Sequence, residues 1–316
     1  MDTSKIITAI YYRVKPLIPR RLQIWLRRKV ALRKRIACAD VWPILEHSDK
    51  PPEGWRRWPD DRQFALILTH DVDTACGQEK CRELMDIEEK LGFRSVFNFV
   101  PERYNVSAEL RHQLTDRGFE VGVHGLNHDG KLFATRKIFE ERVHKINRYI
   151  EEWDAVGFRA PAMHHNLDWI RELQIEYDCS TFDTDPFEPQ PDGVETIFPF
   201  WVEGNFTHTG YVELPYTLDQ DFTLFVLMKE QTIDVWQKKL DWVAEKGGMA
   251  LVNTHPDYIC FNGQALRLEE YPAEYYQRFL QHVKNELAGR YWHVLPRELA
   301  RFWVADMVKD KTADKA

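Results

Sequence analysis

A chain of 316 residues with 44% apolar and 29% charged side chains is long enough to bury one large α/β core and has the balance of a soluble globular protein. Its net charge of −7 conceals an asymmetry: residues 1–36 hold eleven Lys and Arg and one acid, Asp2, whereas the rest holds 32 basic and 49 acidic residues. No run approaches the roughly 18 apolar residues of a membrane span. Ile6–Tyr12 is cut off by Arg13 and Lys15, too soon for a secretory leader. Five cysteines (Cys38, Cys76, Cys81, Cys179, Cys260) form no C-x-x-C pair and suit a reducing compartment. These features predict a cytoplasmic protein, peripheral at the inner membrane face. A basic tip on an acidic body asks for an anionic partner, and an anionic membrane surface is the candidate. No nucleic-acid partner is expected.

Residues 1–46 form a basic N-terminal segment in which 19–36 (PRRLQIWLRRKVALRKRI) has the period of an amphipathic helix. Leu22, Trp25, Leu26, Val30, Leu32 and Ile36 fall on one arc, with Arg20, Arg27, Arg28, Lys34 and Arg35 opposite. Two readings fit that period: a helix lying in a membrane interface, or one packed on the body with its basic face in water. A Pro- and Trp-containing linker, 47–63, follows. From 64 to 305, apolar runs at 64–69, 94–100, 119–123, 156–159, 178–182, 211–215, 247–254 and 291–295 alternate with helical patterns at 78–91, 107–117, 132–152, 167–176, 232–246 and 272–288. Ser107, Asn166 and Thr232 suit helix caps, and Gly92, Gly118 and Gly247 suit helix ends. This alternation implies a parallel sheet with helices outside it, open or closed as a barrel. Residues 306–316 are expected to be a disordered tail.

In a β/α barrel the reactive groups gather at the C-terminal ends of the strands. Here the first strand ends in His70-Asp71-Val72-Asp73, the third in His124 with His128 four residues on, and the fourth in Arg159-Ala160-Pro161 followed by His164-His165. The fifth ends in Asp183-Thr184-Asp185 and the seventh in Asn253-Thr254-His255. Two His and a carboxylate are a usual ligand set for a catalytic zinc with a position left for water. His124 and His128 can face one ion if the segment between them turns helically. Asp71 and Asp73, two apart in extended chain, share a face, so one can hold metal while the other takes a proton.

In combination these motifs resemble those of the NodB-like polysaccharide deacetylases, carbohydrate esterase family four. The resemblance spans residues 64–300 in the right order, and it implies a single catalytic domain built as a distorted (β/α)7-type barrel behind the N-terminal amphipathic helix. It further implies a divalent metal ion, with zinc the expected one, held by Asp73, His124 and His128. By the same resemblance Asp71 is the base, Arg159 holds that base, and His255 is a general acid oriented by Asp183 or Asp185, of which we take Asp185. Leu251 walls the acyl methyl and Pro161 lies against substrate, and, apart from the resemblance, His164 or His165 can also reach substrate, of which we take His165. Two departures stand out: Val72 separates the two Asp, and Ala162-Met163-His164-His165 replaces the family's aromatic after R-x-P. The implied activity is removal of an N-acyl group, acetyl by expectation, from an amino sugar of a polysaccharide or lipid-linked glycan precursor. A glycosidase on a related barrel, using Asp71 and Asp185, and a non-catalytic glycan-binding protein are the rival readings.

Overall fold

The run FALILTHDV at 64–72 carries β-formers and apolar side chains on both faces, as a strand buried between helices and barrel interior requires. In the computed structural model, which describes residues 18–205, 208–261, 263 and 265–308, that run is β1 (Phe64–Val72), buried at every position. The other strands are β2 (Val96–Phe99), β3 (Glu120–His124), β4 (Gly157–Arg159), β5 (Tyr177–Asp178), β6 (Phe200–Asn205), β7 (His208–Glu213), β8 (Met249–Thr254), β9 (Ile259–Cys260), β10 (Tyr271–Pro272) and β11 (Tyr291–His293). The helices are α1 (Arg20–Ala37), α2 (Ala75–Leu91), α3 (Ala108–Asp116), α4 (Arg136–Glu152), α5 (Leu167–Ile170), α6 (Asp234–Lys246), α7 (Ala273–Glu286) and α8 (Pro296–Trp303).

Along one edge β1 pairs first with β11 and then with β2; along the other it pairs with β8. From β2 the parallel sheet runs through β3, β4, β5 and β7, and β6 joins β7 antiparallel. A single parallel bridge, Leu218 with Val252, joins the chain beyond β7 to β8. The sheet is therefore curled almost into a barrel and held shut at one point. One contiguous apolar core fills the space between sheet and helices. Its strands leave their C-terminal ends, and the polar residues that follow, on one face.

The structure departs from the sequence expectations in several places. Helix α5 stops at Ile170 rather than 176, because its last residues turn into the loop that feeds β5. Helix α6 starts with Ile233 at its cap position, and Thr232 makes no cap. The β6–β7 hairpin and helix α8 were not foreseen. The stretch 47–63 is packed rather than spanning open space: Trp58 is buried and donates through Nε1 to the Gly247 carbonyl at 2.8 Å, and Trp55 packs edge-on against Trp58 and Phe302 and tilted against Trp303. Of the expected tail, residues 309–316 lie outside the described residues, and 304–308 continue α8 as a π-helical turn. Residues 1–17 of the N-terminal segment also lie outside them.

Helix α1 forms as expected and packs on the body, but with its apolar arc rather than its basic face outward. It rests on a π-helical turn, Phe222–Met228, through Ile24 and Ala31. Several of its cations reach the body, while Arg21, Lys29 and Arg33 stay exposed. Arg28 donates to the carbonyls of Val226 (2.9 Å) and Leu268 (3.1 Å), Lys34 to that of Pro186 (2.7 Å), Arg20 to Glu269 (2.7 Å), and Arg35 pairs with Glu230. Carbonyls at the end of a helical turn want donors, and the long basic side chains supply them.

Candidate metal and catalytic site

Because side chains alternate along β1, Thr69 and Asp71 share its inner face with Asn253 of β8, their neighbour in register. Asp71 is buried, and both its oxygens are bonded: Asn98 donates to Oδ1 at 3.0 Å and Asn253 to Oδ2 at 2.8 Å. Gly122, beside Asn98 in the sheet, leaves that amide its place, since a Cβ there would lie 2.1 Å from Asn98 Oδ1. Arg159 is fully buried and donates to the Cys179 carbonyl (3.0 Å) and Thr69 Oγ1 (2.9 Å), with Nη1 at 3.5 Å from Asp71 Oδ1. Burial opposes a charge on Asp71, but Arg159, His124, His255 and the Asn98 amide outweigh it and hold its pKa at about 2.

Asp73 lies just beyond the end of β1. Its backbone N–H donates to Asp257 Oδ2 at 2.9 Å, and Thr74 Oγ1 donates to Asp257 Oδ1. These contacts fix the turn into α2. The Asp73 carboxylate points toward the third strand's loop, where Oδ1 lies 3.0 Å from His128 Nε2 and 3.5 Å from His124 Nε2. The loop between the two histidines is not a helical turn. Gly125 (φ +60°) and His128 (φ +54°) are both left-handed, and they fold the segment back so that the imidazoles come together. Gly125 also makes room for Pro161, whose Cδ would lie 2.5 Å from a Cβ at that position.

Asp73, His124 and His128 bring one donor atom each to within 4.8 Å of one another. His124 Nδ1 donates to the Arg159 carbonyl at 3.0 Å, so that Nε2 carries the free lone pair, which is how metal-binding imidazoles are fixed. Asp73 Oδ1 is buried without a hydrogen-bond donor. A buried carboxylate oxygen that faces two imidazole nitrogens is costly unless a metal cation or a proton on an imidazole neutralises it. The three residues thus fit a divalent ion by donor type and by that orphaned oxygen.

The partner of His255 is Asp221, not Asp185 or Asp183. His255 Nδ1 lies 2.7 Å from Asp221 Oδ1, its backbone N–H donates to Asp221 Oδ2 (2.8 Å), and Tyr271 donates to the same oxygen (2.9 Å). Burial opposes the imidazolium, but Asp221 with Asp73 and Asp71 raises its pKa to about 10. Its Nε2 is then 4.0 Å from Asp71 Oδ2. Asp185 is engaged elsewhere, accepting from Tyr216 (2.7 Å) and from the Phe187 N–H (2.8 Å). Burial lifts its pKa to about 6, which ill suits a standing counter-charge. Asp183 is paired with Lys239 at 2.5 Å.

His165 is engaged by its own loop: Nδ1 donates to the Met163 carbonyl at 2.9 Å, and Gln190 contacts the other ring nitrogen. It is His164 that lines a small pocket with His128 and Pro161. Leu251 is fully buried in β8 one layer below Asn253. A cleft of about 320 Å³ opens beside Asp73, lined also by Arg20, Arg103, Tyr258, Arg267 and Leu268. Asn98, Asp221 and Tyr258 are thus residues of the candidate site that sequence reasoning missed, and Asn253, which it placed at a strand end, was given no role. Only Asp221 carried a usable signal, since it follows the strand run 211–215 as the other acids follow theirs.

This curled parallel sheet, with His and Asp at its strand ends, is the NodB-like deacetylase fold. No protein-family model and no curated protein matches the chain. Among solved structures, a Mycobacterium smegmatis protein assigned as a polysaccharide deacetylase superposes with a TM-score of 0.62 at 18% identity, covering 81% of this chain and 95% of its own. An allantoinase, Puue, gives 0.60 at 16% identity, covering 82% and 96%. A Pseudomonas aeruginosa PAO1 protein, also assigned as a polysaccharide deacetylase, gives 0.59 at 15% identity, covering 83% and 97%.

Proposed function

We propose that the chain is a metal-dependent hydrolase that removes an acyl group, acetyl by preference, from the nitrogen of an amino sugar. The observation that carries this reading is the orphaned Asp73 oxygen facing His124 and His128, beside Asp71 held by Asn98 and Asn253 and His255 held by Asp221. A divalent cation, when bound by Asp73, His124 and His128, supplies Lewis-acid polarisation of an acyl carbonyl and a water that ionises near neutral pH. Asp71 takes a proton from the attacking water. Asn98, Asn253 and Arg159 keep it ionised and aimed until then. His255, held by Asp221, gives a proton to the departing sugar nitrogen, which leaves poorly as an anion.

The geometry supports Asp73 as ligand and Asp71 as base, because the nearest His nitrogen to Asp71 is 3.9 Å away. Asp185, bonded to Tyr216 and Phe187, gives a glycosidase reading little support. The two neighbours assigned as polysaccharide deacetylases support the sugar amide as substrate class. For the N-terminal helix an anionic membrane surface is the proposed partner. The test is incubation of the zinc-loaded protein with N-acetylated sugar oligomers, followed by assay of acetate and free amine. Release of both in equal amounts supports the reading, and reducing-end release without acetate would instead make it a glycosidase.

A further inference from the structure

Seven large apolar side chains stand exposed among the described residues, and all seven lie on two touching segments. Six are on α1: Leu22, Trp25 (52% exposed), Leu26, Val30 (52%), Leu32 and Ile36 (82%). The seventh is Leu266, in the loop that Arg28 and Arg20 clamp to α1 through the Leu268 carbonyl and Glu269. Scattered apolar residues on a surface need no explanation, but a molecule that gathers them on one face does. Exposed Arg21, Lys29 and Arg33 are interleaved with them, and α1 contains no acid.

The cations that would ordinarily keep such a helix in water, Arg28, Lys34 and Arg35, are spent on the body, so the docked helix presents its apolar arc outward. The same two segments frame the cleft beside Asp73, to which they contribute Arg20, Arg267, Leu268 and Glu269. Arg27 lies over Phe222 (4.6 Å), Phe222 packs on Tyr258 (4.8 Å), and Tyr258 on His255 (5.1 Å), a continuous row from α1 to the site.

We propose that this face is the docking surface for an anionic lipid bilayer, and that docking sets the cleft beside Asp73 at the lipid head groups. An apolar stripe with Trp and Leu, flanked by Lys and Arg and free of acids, has the composition of a helix seated in the interface of anionic lipid. A second protein copy would meet the same cations on its own face. The substrate is then an N-acyl amino sugar carried on a lipid rather than a free polymer. That last step rests on the hydrolase reading above, whereas the docking does not.

The experiment uses the full chain and vesicles of phosphatidylcholine with phosphatidylglycerol at about 3:1, against phosphatidylcholine alone. Binding is expected to the anionic vesicles only and to weaken as salt rises. Lipids brominated near the glycerol end should quench tryptophan fluorescence, and Trp25→Phe should remove most of that quenching. Lys29→Gln and Arg33→Gln should each weaken binding about fivefold, and Trp25→Asp with Ile36→Asp roughly tenfold or more. These exposed positions should leave the urea midpoint and hydrolysis of a soluble N-acetylated oligomer unchanged. Equal binding by wild type and the Asp variants, no binding to anionic vesicles, or a stable lipid-free dimer broken by those variants would overturn the docking. Vesicle binding without hydrolysis of either a soluble or a lipid-borne N-acetyl sugar would refute the hydrolase reading and leave the docking standing.

Discussion

At the residue scale, Asp71 and Asp73 differ in what faces them. Asp71 is surrounded by amide and guanidinium donors, and Asp73 by imidazole nitrogens that can share a cation. Asp71→Asn should therefore lower turnover by about 10² or more while metal uptake persists, measured as acetate release at saturating zinc. Asp221 makes a second prediction. The folded pKa of His255, about 10, stands above the ordinary 6.5. Its pairing with Asp221 therefore contributes stability that is complete below pH 6.5 and lost as pH rises through 10. Asp221→Asn should reduce the urea midpoint at pH 6 and much less above pH 10, and it should move the alkaline limb of the rate profile to lower pH. A midpoint loss that is the same at both pH values would count against the pairing.

Charged residues at strand ends were readable in the sequence, because a run of apolar residues followed by His or Asp marks the barrel rim. Their neutral supporters were not. Asn98 sits inside a strand and Asn253 beside the strand-end His255, neither with a charge to mark it, and the search for the partner of His255 stopped at Asp183 and Asp185 because chain distance from the fifth strand says nothing of which acid turns inward.

At the element scale, α2 shows how a glycine serves a site. Gly77 lies in its first turn, where alanine would favour the helix by about 1 kcal/mol in an exposed setting. A Cβ there would instead meet the Asp257 carboxylate at 2.1 Å, and that carboxylate is held by the Asp73 N–H and Thr74. Gly77→Ala should destabilise the fold and weaken zinc binding despite its better helix propensity, with urea unfolding and zinc titration as the readouts. Unchanged zinc affinity would show that Asp257 does not position Asp73.

Elements with long apolar period, such as β1, β8 and α7, stood where the sequence placed them. The β6–β7 hairpin did not stand out, since β6 (FWVEGN) is short and holds Glu203 and Gly204. Helix α8 was hidden because its start, Leu295-Pro296, ends the preceding apolar run. The structure shows the Glu298 carboxylate accepting from the Leu295 N–H at 3.0 Å, a helix start that Pro296 and Glu298 do announce.

For the whole molecule, the N-terminal charge asymmetry has a structural outcome that composition could not show. Whether a basic side chain on α1 faces water or a carbonyl depends on the Phe222–Met228 turn, some 200 residues away in sequence. The metal reading has a global consequence too. An ion that binds only the folded chain should raise its unfolding free energy by about 2.7 kcal/mol at a hundredfold excess over Kd, and a chelator should remove that gain. Thermal unfolding with zinc and with chelator checks this. Coincident curves would mean that no ion is held.

The central claim is that Asp73, His124 and His128 hold one divalent ion while Asp71 stays free to act as base. Metal content of dialysed wild type, Asp71→Asn and Asp73→Asn, measured by plasma emission after zinc loading, tests it most directly. One ion per chain in wild type and in Asp71→Asn, with little in Asp73→Asn, is the expected result. A wild type that retains no metal, or an Asp73→Asn variant that retains it as well as wild type does, would contradict the claim.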